Sequence, residues 1–219
     1  MILDLRVYAI VDPGVSGGRS LAELARSIAP STTLVQLRDK TGTTRTLIDE
    51  ARALLSVLQP KGIPLLINDR VDVALAAKAQ GVHVGWDDMP AEEARRLLGP
   101  DAIIGLSIKT LAQAAAAPLD VLDYVAIGGV YTTTSKDNTS APIGTSGLNA
   151  IAQAVRARKP GFPICAIAGI TAANAADVIA AGADGVSVIS ALSLAPDPAA
   201  AARDLRHVVS NALQRREKR

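Results

Sequence analysis

The sequence predicts an α/β fold, a single-domain (β/α)8 TIM barrel spanning residues 1–219. Three observations predict it. Short aliphatic and β-branched runs recur eight times, each followed by an Ala/Leu-rich stretch of helical character, the alternation of a parallel sheet covered by helices. Most of these runs are continuously apolar, as strands buried on both faces should be. Eight even units in 219 residues, with no linker or break in composition, fit a closed barrel better than a doubly wound open sheet.

The elements follow in order. Strand one is Val7–Val11, with a helix at about 20–29. Strand two is Thr33–Leu37 and its helix 44–58; strand three is Pro64–Asn68 and its helix 70–79. Strand four, Val82–Val84, and strand five, Ala102–Leu106, precede helices at 90–98 and 110–116. Strand six, Tyr124–Ile127, leads to a helix at 147–158 only after a break in the rhythm. The intervening Gly128 to Ser146 is rich in Thr, Ser, Gly, Asn and Pro, and loops of that length are usually functional, so residues 128–146 are a candidate lid. Strand seven, Ile164–Ala168, and strand eight, Gly185–Ile189, precede helices at 172–181 and 197–214. A faint repeat, Ala77-Lys78-Ala79-Gln80-Gly81-Val82-His83-Val84 against Ala181-Gly182-Ala183-Asp184-Gly185-Val186-Ser187-Val188, reads twice as helix end, turn and strand.

Composition removes several function classes. A net charge of +2 gives no electrostatic case for nucleic-acid binding, and the basic tail Arg215, Arg216, Lys218 and Arg219 reads as a solvated helix end. No apolar run approaches the roughly 20 residues of a membrane span, and the N-terminus lacks the order of a signal peptide. The single cysteine, Cys165, excludes an internal disulfide and points to a cytoplasmic location. The sequence leaves a homo-oligomer open.

In such a barrel chemistry sits at the C-terminal ends of the strands. Strand two closes as Val35-Gln36-Leu37-Arg38-Asp39-Lys40, where alternation puts Gln36, Arg38 and Lys40 on one face. An inward Arg and Lys need an anion, either a neighbouring carboxylate or, the reading preferred here, an anionic ligand. Asp69 and Asp88 top adjacent strands and can share Mg2+ with phosphate oxygens and water; the competing reading makes Asp69, and Asp87 or Asp88, caps of the helices that follow. Strands seven and eight end in Gly169 and in Ile189-Ser190, at the recurring phosphate site of these barrels. Ser107 ends strand five, and Thr133, Thr134, Ser135 and Lys136 add hydroxyls and a cation from the long loop. His83 and Cys165 read as packed core residues, so no nucleophile–base constellation is available. Two anionic sites flanking one mouth suggest the joining of two phosphorylated molecules, with diphosphate as leaving group.

These motifs resemble the thiamine phosphate synthase (thiamine-phosphate pyrophosphorylase) family. The similar stretches are Val35–Lys40, Leu66-Ile67-Asn68-Asp69-Arg70-Val71-Asp72, Gly81–Gly85, Gly105-Leu106-Ser107, Asp123–Gly128, Ala166–Thr171 and Ala183–Ser190. The resemblance implies a transferase that joins 4-amino-2-methyl-5-hydroxymethylpyrimidine diphosphate to a thiazole ethyl phosphate, giving thiamine phosphate and diphosphate. It implies that Gln36, Leu37, Arg38, Asp39, Lys40, Asn68, Ser107 and Lys136 hold the pyrimidine diphosphate and that Asp69 and Asp88 bind Mg2+. Thr133, Thr134, Ser135, Gly169, Ile189 and Ser190 would hold the thiazole phosphate. Catalysis would be electrostatic, with Arg38, Lys40, Ser107 and Lys136 at the reacting centre. Trp86 stands where the family usually has Gln, Gly129 where it has Pro, Ser135 where it has Thr, and Ala168 where the first of two glycines is usual. The alternatives are a thiazole tautomerase-like isomerase, which uses an imidazole at the position of Gly129, and a non-catalytic phosphate-ligand-binding barrel.

Overall fold

Eight parallel strands pair in chain order, and the last closes onto the first. They are β1 (Val7–Val11), β2 (Leu34–Leu37), β3 (Leu65–Asn68), β4 (Gly81–Val84), β5 (Ile103–Ile108), β6 (Tyr124–Ile127), β7 (Ile164–Ile167) and β8 (Gly185–Val188). The helices are α1 (Leu21–Ile28), α2 (Thr44–Leu58), α3 (Val71–Ala77), α4 (Ala91–Leu98), α5 (Leu111–Ala116), α6 (Gly144–Arg158), α7 (Ala175–Ala180), α8 (Ser190–Ser193) and α9 (Pro198–Glu217). This is a computed structural model, and it describes residues 3–133 and 141–218. The closed barrel is the architecture the alternation predicts. Among the described residues no helix is long and apolar enough to cross a membrane.

Period-2 alternation along each strand separates two cores. Outward residues such as Val35, Leu37, Leu65, Ile67, Val82 and Val84 join Leu24, Leu54, Leu58 and Val155 of the helices in one layer between sheet and helices. Inward residues Tyr8, Leu34, Leu66, Tyr124, Ala126 and Cys165 fill the barrel. Each fully buried Leu or Ile contributes roughly 1.5–3 kcal/mol of burial energy. Gly105 is required by this filling, because a Cβ there would lie 2.1 Å from the Tyr124 ring. Cys165 is fully buried, and burial pushes its thiol up, so it acts as a small hydrophobe.

A clamp recurs under the barrel. The residue just before each even strand accepts a hydrogen bond from the first or second N–H of the odd strand beside it. Thr33 Oγ1 accepts from Val7 N at 3.2 Å, Gln80 Oε1 from Leu65 N at 2.9 Å, Asp123 Oδ2 from Ile104 N at 2.7 Å and Asp184 Oδ2 from Ile164 N at 2.9 Å. The sequence repeat superposes Gln80 on Asp184, so it marks two of these four clamps. Both Asp clamps also hold an arginine 28 residues upstream, Arg95 and Arg156.

The structure departs from the sequence expectations at the strand ends. Ala168 leaves β7 because its φ is +88°, and Ile189 leaves β8 with ψ −84° to open α8, a helical turn the sequence did not announce. β5 runs on to Ile108, so Ser107 sits within the strand rather than beyond it. α6 starts at Gly144, three residues earlier than the pattern suggested.

Candidate active site

The C-terminal mouth gathers the polar residues by strand. At β2, Gln36 points into the barrel and its Nε2 donates to the Tyr8 hydroxyl. Arg38 Nη1 donates to Asp12 Oδ2, whose other oxygen accepts from Gly14 N at 2.8 Å. Lys40 Nζ donates to Asp69 Oδ2. Both cations therefore have the carboxylate partners that the sequence left open beside a ligand, and Arg38 Nε is buried with no partner among the described residues. Leu37 turns its side chain into the outer core, so a ligand could meet it only through its main chain. Asp39 folds back on its own loop, accepting from Thr41 N at 2.9 Å and Gly42 N at 2.8 Å. Burial acts to raise the Asp39 carboxyl, but these N–H groups together outweigh it and hold the group below its usual range.

At β3 and β4, Asp69 adopts a left-handed backbone, φ +61°, fixed by its N–H donating 2.8 Å to the His83 carbonyl. Asn68 Nδ2 donates to Asp69 Oδ2 at 2.6 Å. Burial pushes the Asp69 carboxyl above its usual range, and Asp88, close enough for hydrogen bonding, pushes it further against the opposing effect of Lys40. Asp88 itself accepts from Gly85 N at 2.7 Å. The helix-cap reading fails here: α3 is preceded by Arg70 and α4 by Pro90, neither with a side-chain cap, and the carboxylates of Asp69 and Asp88 go elsewhere. Two neighbouring carboxylates at the strand ends suit a hard cation such as Mg2+. Among the described residues no third Asp, Glu, His or Cys completes a metal cluster, so further ligands would have to be phosphate oxygens or water.

Ser107 on β5 lies 2.8 Å from His83 Nε2, and His83 Nδ1 lies 2.8 Å from the Tyr124 hydroxyl. His83 is buried as expected, but in a polar network rather than among apolar side chains.

On the opposite side of the ring, β7 and β8 open a cavity of about 300 Å³ lined by Thr132, Thr133, Gly169, Thr171, Ile189, Ser190 and their neighbours. Gly169 has φ +65°, and a Cβ there would lie 2.5 Å from the Thr132 carbonyl oxygen. Only glycine fits that approach. Ser187 Oγ also faces this lining, buried and without a partner among the described residues. Thr134, Ser135 and Lys136, within the 134–140 part of the candidate lid, lie outside the described residues.

Asp12, Tyr8, Tyr124 and Ser187 escaped the sequence reading. Asp12 follows strand one directly, and the rule that singled out Asp69 and Ser107 would have found it. The others are inward positions of their strands, visible from alternation alone.

The model of the thiamine monophosphate synthase family matches residues 7–192. The chain belongs to this family. It is 49% identical to the thiamine-phosphate synthase of Chloroflexus aurantiacus, over 95% of this chain and 94% of that one. It is 46% identical to the thiamine-phosphate synthase of Agrobacterium fabrum, over 98% of each. The solved thiamine phosphate pyrophosphorylase from Pyrococcus furiosus superposes with a TM-score of 0.84 at 33% identity, covering 96% of this chain and 98% of that one. As a thiamine monophosphate synthase family member, the chain is a transferase of thiamine biosynthesis that makes thiamine phosphate. The tautomerase and non-catalytic alternatives are not favoured by any of these relatives.

Proposed function

We propose that this enzyme binds its two substrates in opposite corners of the mouth. The pyrimidine diphosphate lies against Gln36, the Leu37 main chain, Arg38, Asp39, Lys40, Asn68 and Ser107, and the thiazole phosphate against Thr133, Gly169, Ile189 and Ser190. Lys136 would add a cation to the pyrimidine diphosphate set and Thr134 and Ser135 hydroxyls to the thiazole phosphate set, as the family resemblance implies; all three lie outside the described residues. The observation that carries the reading is that Asp69 and Asp88, held at the ends of neighbouring β3 and β4, lie across the ring from the Gly169 cavity. Members of this family use Mg2+, and Asp69 and Asp88 would hold it. When bound, the ion supplies neutralising charge to the diphosphate.

The remaining chemistry falls to the protein's own groups. The C–O bond to diphosphate breaks heterolytically, the pair of electrons leaving with the oxygen. Arg38, Lys40 and Lys136 hold the departing anion, so Lys40 must exchange part of its contact with Asp69 for phosphate. The pyrimidine-stabilised carbocation is captured by the thiazole nitrogen held from the other corner. Positioning and electrostatics suffice, and no protein nucleophile takes part. A cytoplasmic location belongs to the same reading, supported by the buried, unpaired Cys165.

The test is incubation with both phosphorylated substrates and Mg2+, followed by separate titrations of each substrate on Arg38→Ala and Gly169→Ala. Thiamine phosphate should form, Arg38→Ala should weaken the pyrimidine diphosphate, and Gly169→Ala the thiazole phosphate. Equal losses on both ligands would mean that the corners are not separate.

A further inference from the structure

Beneath the mouth runs a chain of buried side chains that the roles above leave unused. Gln36 Nε2 donates to the Tyr8 hydroxyl, and the Tyr124 hydroxyl donates to Tyr8 at 2.9 Å. Tyr124 meets His83 Nδ1 at 2.8 Å, and His83 Nε2 meets Ser107 Oγ at 2.8 Å. The rings also pack on one another, His83 stacked on Tyr124 at 5.5 Å and Tyr8 edge-on to Tyr124 at 5.9 Å. Both tyrosines are shut off from water, and burial drives their ionisation upward, so both stay protonated. The chain begins and ends on residues assigned to the pyrimidine diphosphate.

Counting protons restricts what those two ends can do. Each phenol has one O–H, and a neutral imidazole one N–H. If Gln36 donates to Tyr8, then Tyr8 must donate to Tyr124 and Tyr124 to His83 Nδ1. His83 then carries its proton on Nε2 and gives it to Ser107, whose own O–H is left for the mouth. If the Gln36 amide is turned over, every bond reverses: Tyr124 donates to Tyr8, Tyr8 to the Gln36 carbonyl, and Ser107 to His83. Ser107 then offers the mouth an acceptor. As the side chains stand, both neighbours donate to Tyr8, which leaves its proton facing no acceptor in a closed site and is costly; turning over the Gln36 amide keeps the Tyr124-to-Tyr8 bond and relieves that cost.

We propose that Tyr8, Tyr124 and His83 are positioning residues that couple Gln36 to Ser107, so that these two meet the substrate with opposite hydrogen-bond polarity. The inference rests on the reading of the β2–β5 corner as the pyrimidine site and explains what that corner recognises. An aminopyrimidine presents an amino donor beside a ring-nitrogen acceptor, the complement of one acceptor and one donor. A ring with two donors or two acceptors at those positions leaves one partner unsatisfied whichever way the chain runs.

The test begins on the free protein with ¹⁵N NMR of its histidines, of which there are two; His207 is exposed on α9 and is identified by its loss in His207→Gln. His83 should show one dominant tautomer. Tyr8→Phe, which removes a hydroxyl that does not touch His83, should change the tautomer ratio, and Gln36→Met should do the same from the far end. In titrations Tyr8→Phe should weaken the pyrimidine diphosphate about 3- to 10-fold, the range for one neutral hydrogen bond, and leave the thiazole phosphate within about twofold. Melting curves check that the variants fold, and Tyr124→Phe repeats the experiment if Tyr8→Phe does not. An unchanged His83 tautomer in both Tyr8→Phe and Gln36→Met, or equal weakening of both substrates, would overturn the proposal. A wild-type protein that fails to bind the pyrimidine diphosphate overturns the site reading instead; the NMR arm needs no substrate and so tells the two failures apart.

Discussion

Lys40 and Asp69, the one proposed to hold the departing diphosphate and the other Mg2+, are bonded to each other across the β2–β3 edge of the mouth. The Lys40 side chain is 54% exposed, so the pair contributes at most about 1 kcal/mol to folding. Its importance lies in the charge that it keeps ready for substrate.

Asp69→Asn should therefore separate function from stability. Asn tolerates the left-handed backbone that this position requires, φ +61°. The melting temperature should stay within a few degrees, while Mg2+-dependent turnover falls roughly 10²–10³-fold, as for loss of one transition-state electrostatic contact. EDTA should abolish wild-type turnover and added Mg2+ restore it. A variant that is destabilised yet active would leave Asp69 a structural residue.

Much of this was legible in the sequence, for a physical reason. Parallel strands buried on both faces must be apolar, so a polar residue at a strand end stands out, and Arg38, Asn68, Asp69 and Ser107 all did. What the chain pattern could not give is the partner of each group. Whether Arg38 faces Asp12 or a ligand depends on the neighbouring strand, and β1 lies beside β2 only once the barrel closes. His83 was read by its apolar neighbours in sequence, Val82 and Val84, which point outward; its neighbours in space are Tyr124 and Ser107.

Ala168 stands where the family resemblance implies the first of two glycines, and its left-handed backbone suits a glycine. Its φ of +88° costs an L-residue about 1–2 kcal/mol, while glycine would lose about 0.4–1 kcal/mol through its freer unfolded chain. Ala168→Gly should thus be stabilising by about 0.5–1 kcal/mol, seen as a rise of roughly 1–4 °C in melting temperature. Ala168→Val should lower it. A fall with glycine would show that the backbone is relaxed here.

Ser187 should reward the opposite kind of change. Its hydroxyl is buried without a partner among the described residues, a cost of about 1–3 kcal/mol in a closed site. Ser187→Ala removes the orphan group without opening a sizeable void. The substrate-free variant should melt roughly 2–4 °C above the wild type for each kcal/mol regained. An unchanged or lower melting temperature would mean that an internal water satisfies the hydroxyl.

Asp184 tests the division of labour between the two ends of the barrel. It lies just before β8, at the end away from the mouth, and accepts from Ile164 N at 2.9 Å, Arg156 Nη2 at 2.8 Å and Arg216 Nη2 at 2.7 Å. One carboxylate thereby ties β7, α6 and α9 together. Asp184→Ala strands an N–H group and leaves two guanidiniums side by side. Charged hydrogen bonds are worth about 1.5–3 kcal/mol each, but these groups are about a third exposed and solvent replaces part of the loss. A net cost of about 2 kcal/mol follows, or roughly 4–8 °C in melting temperature. The proposed substrate sites lie at the other end, so turnover per folded molecule, measured well below the transition, should match the wild type. Loss of turnover at unchanged stability would place Asp184 in the path of the chemistry and contradict the separation of the stabilising face from the catalytic one.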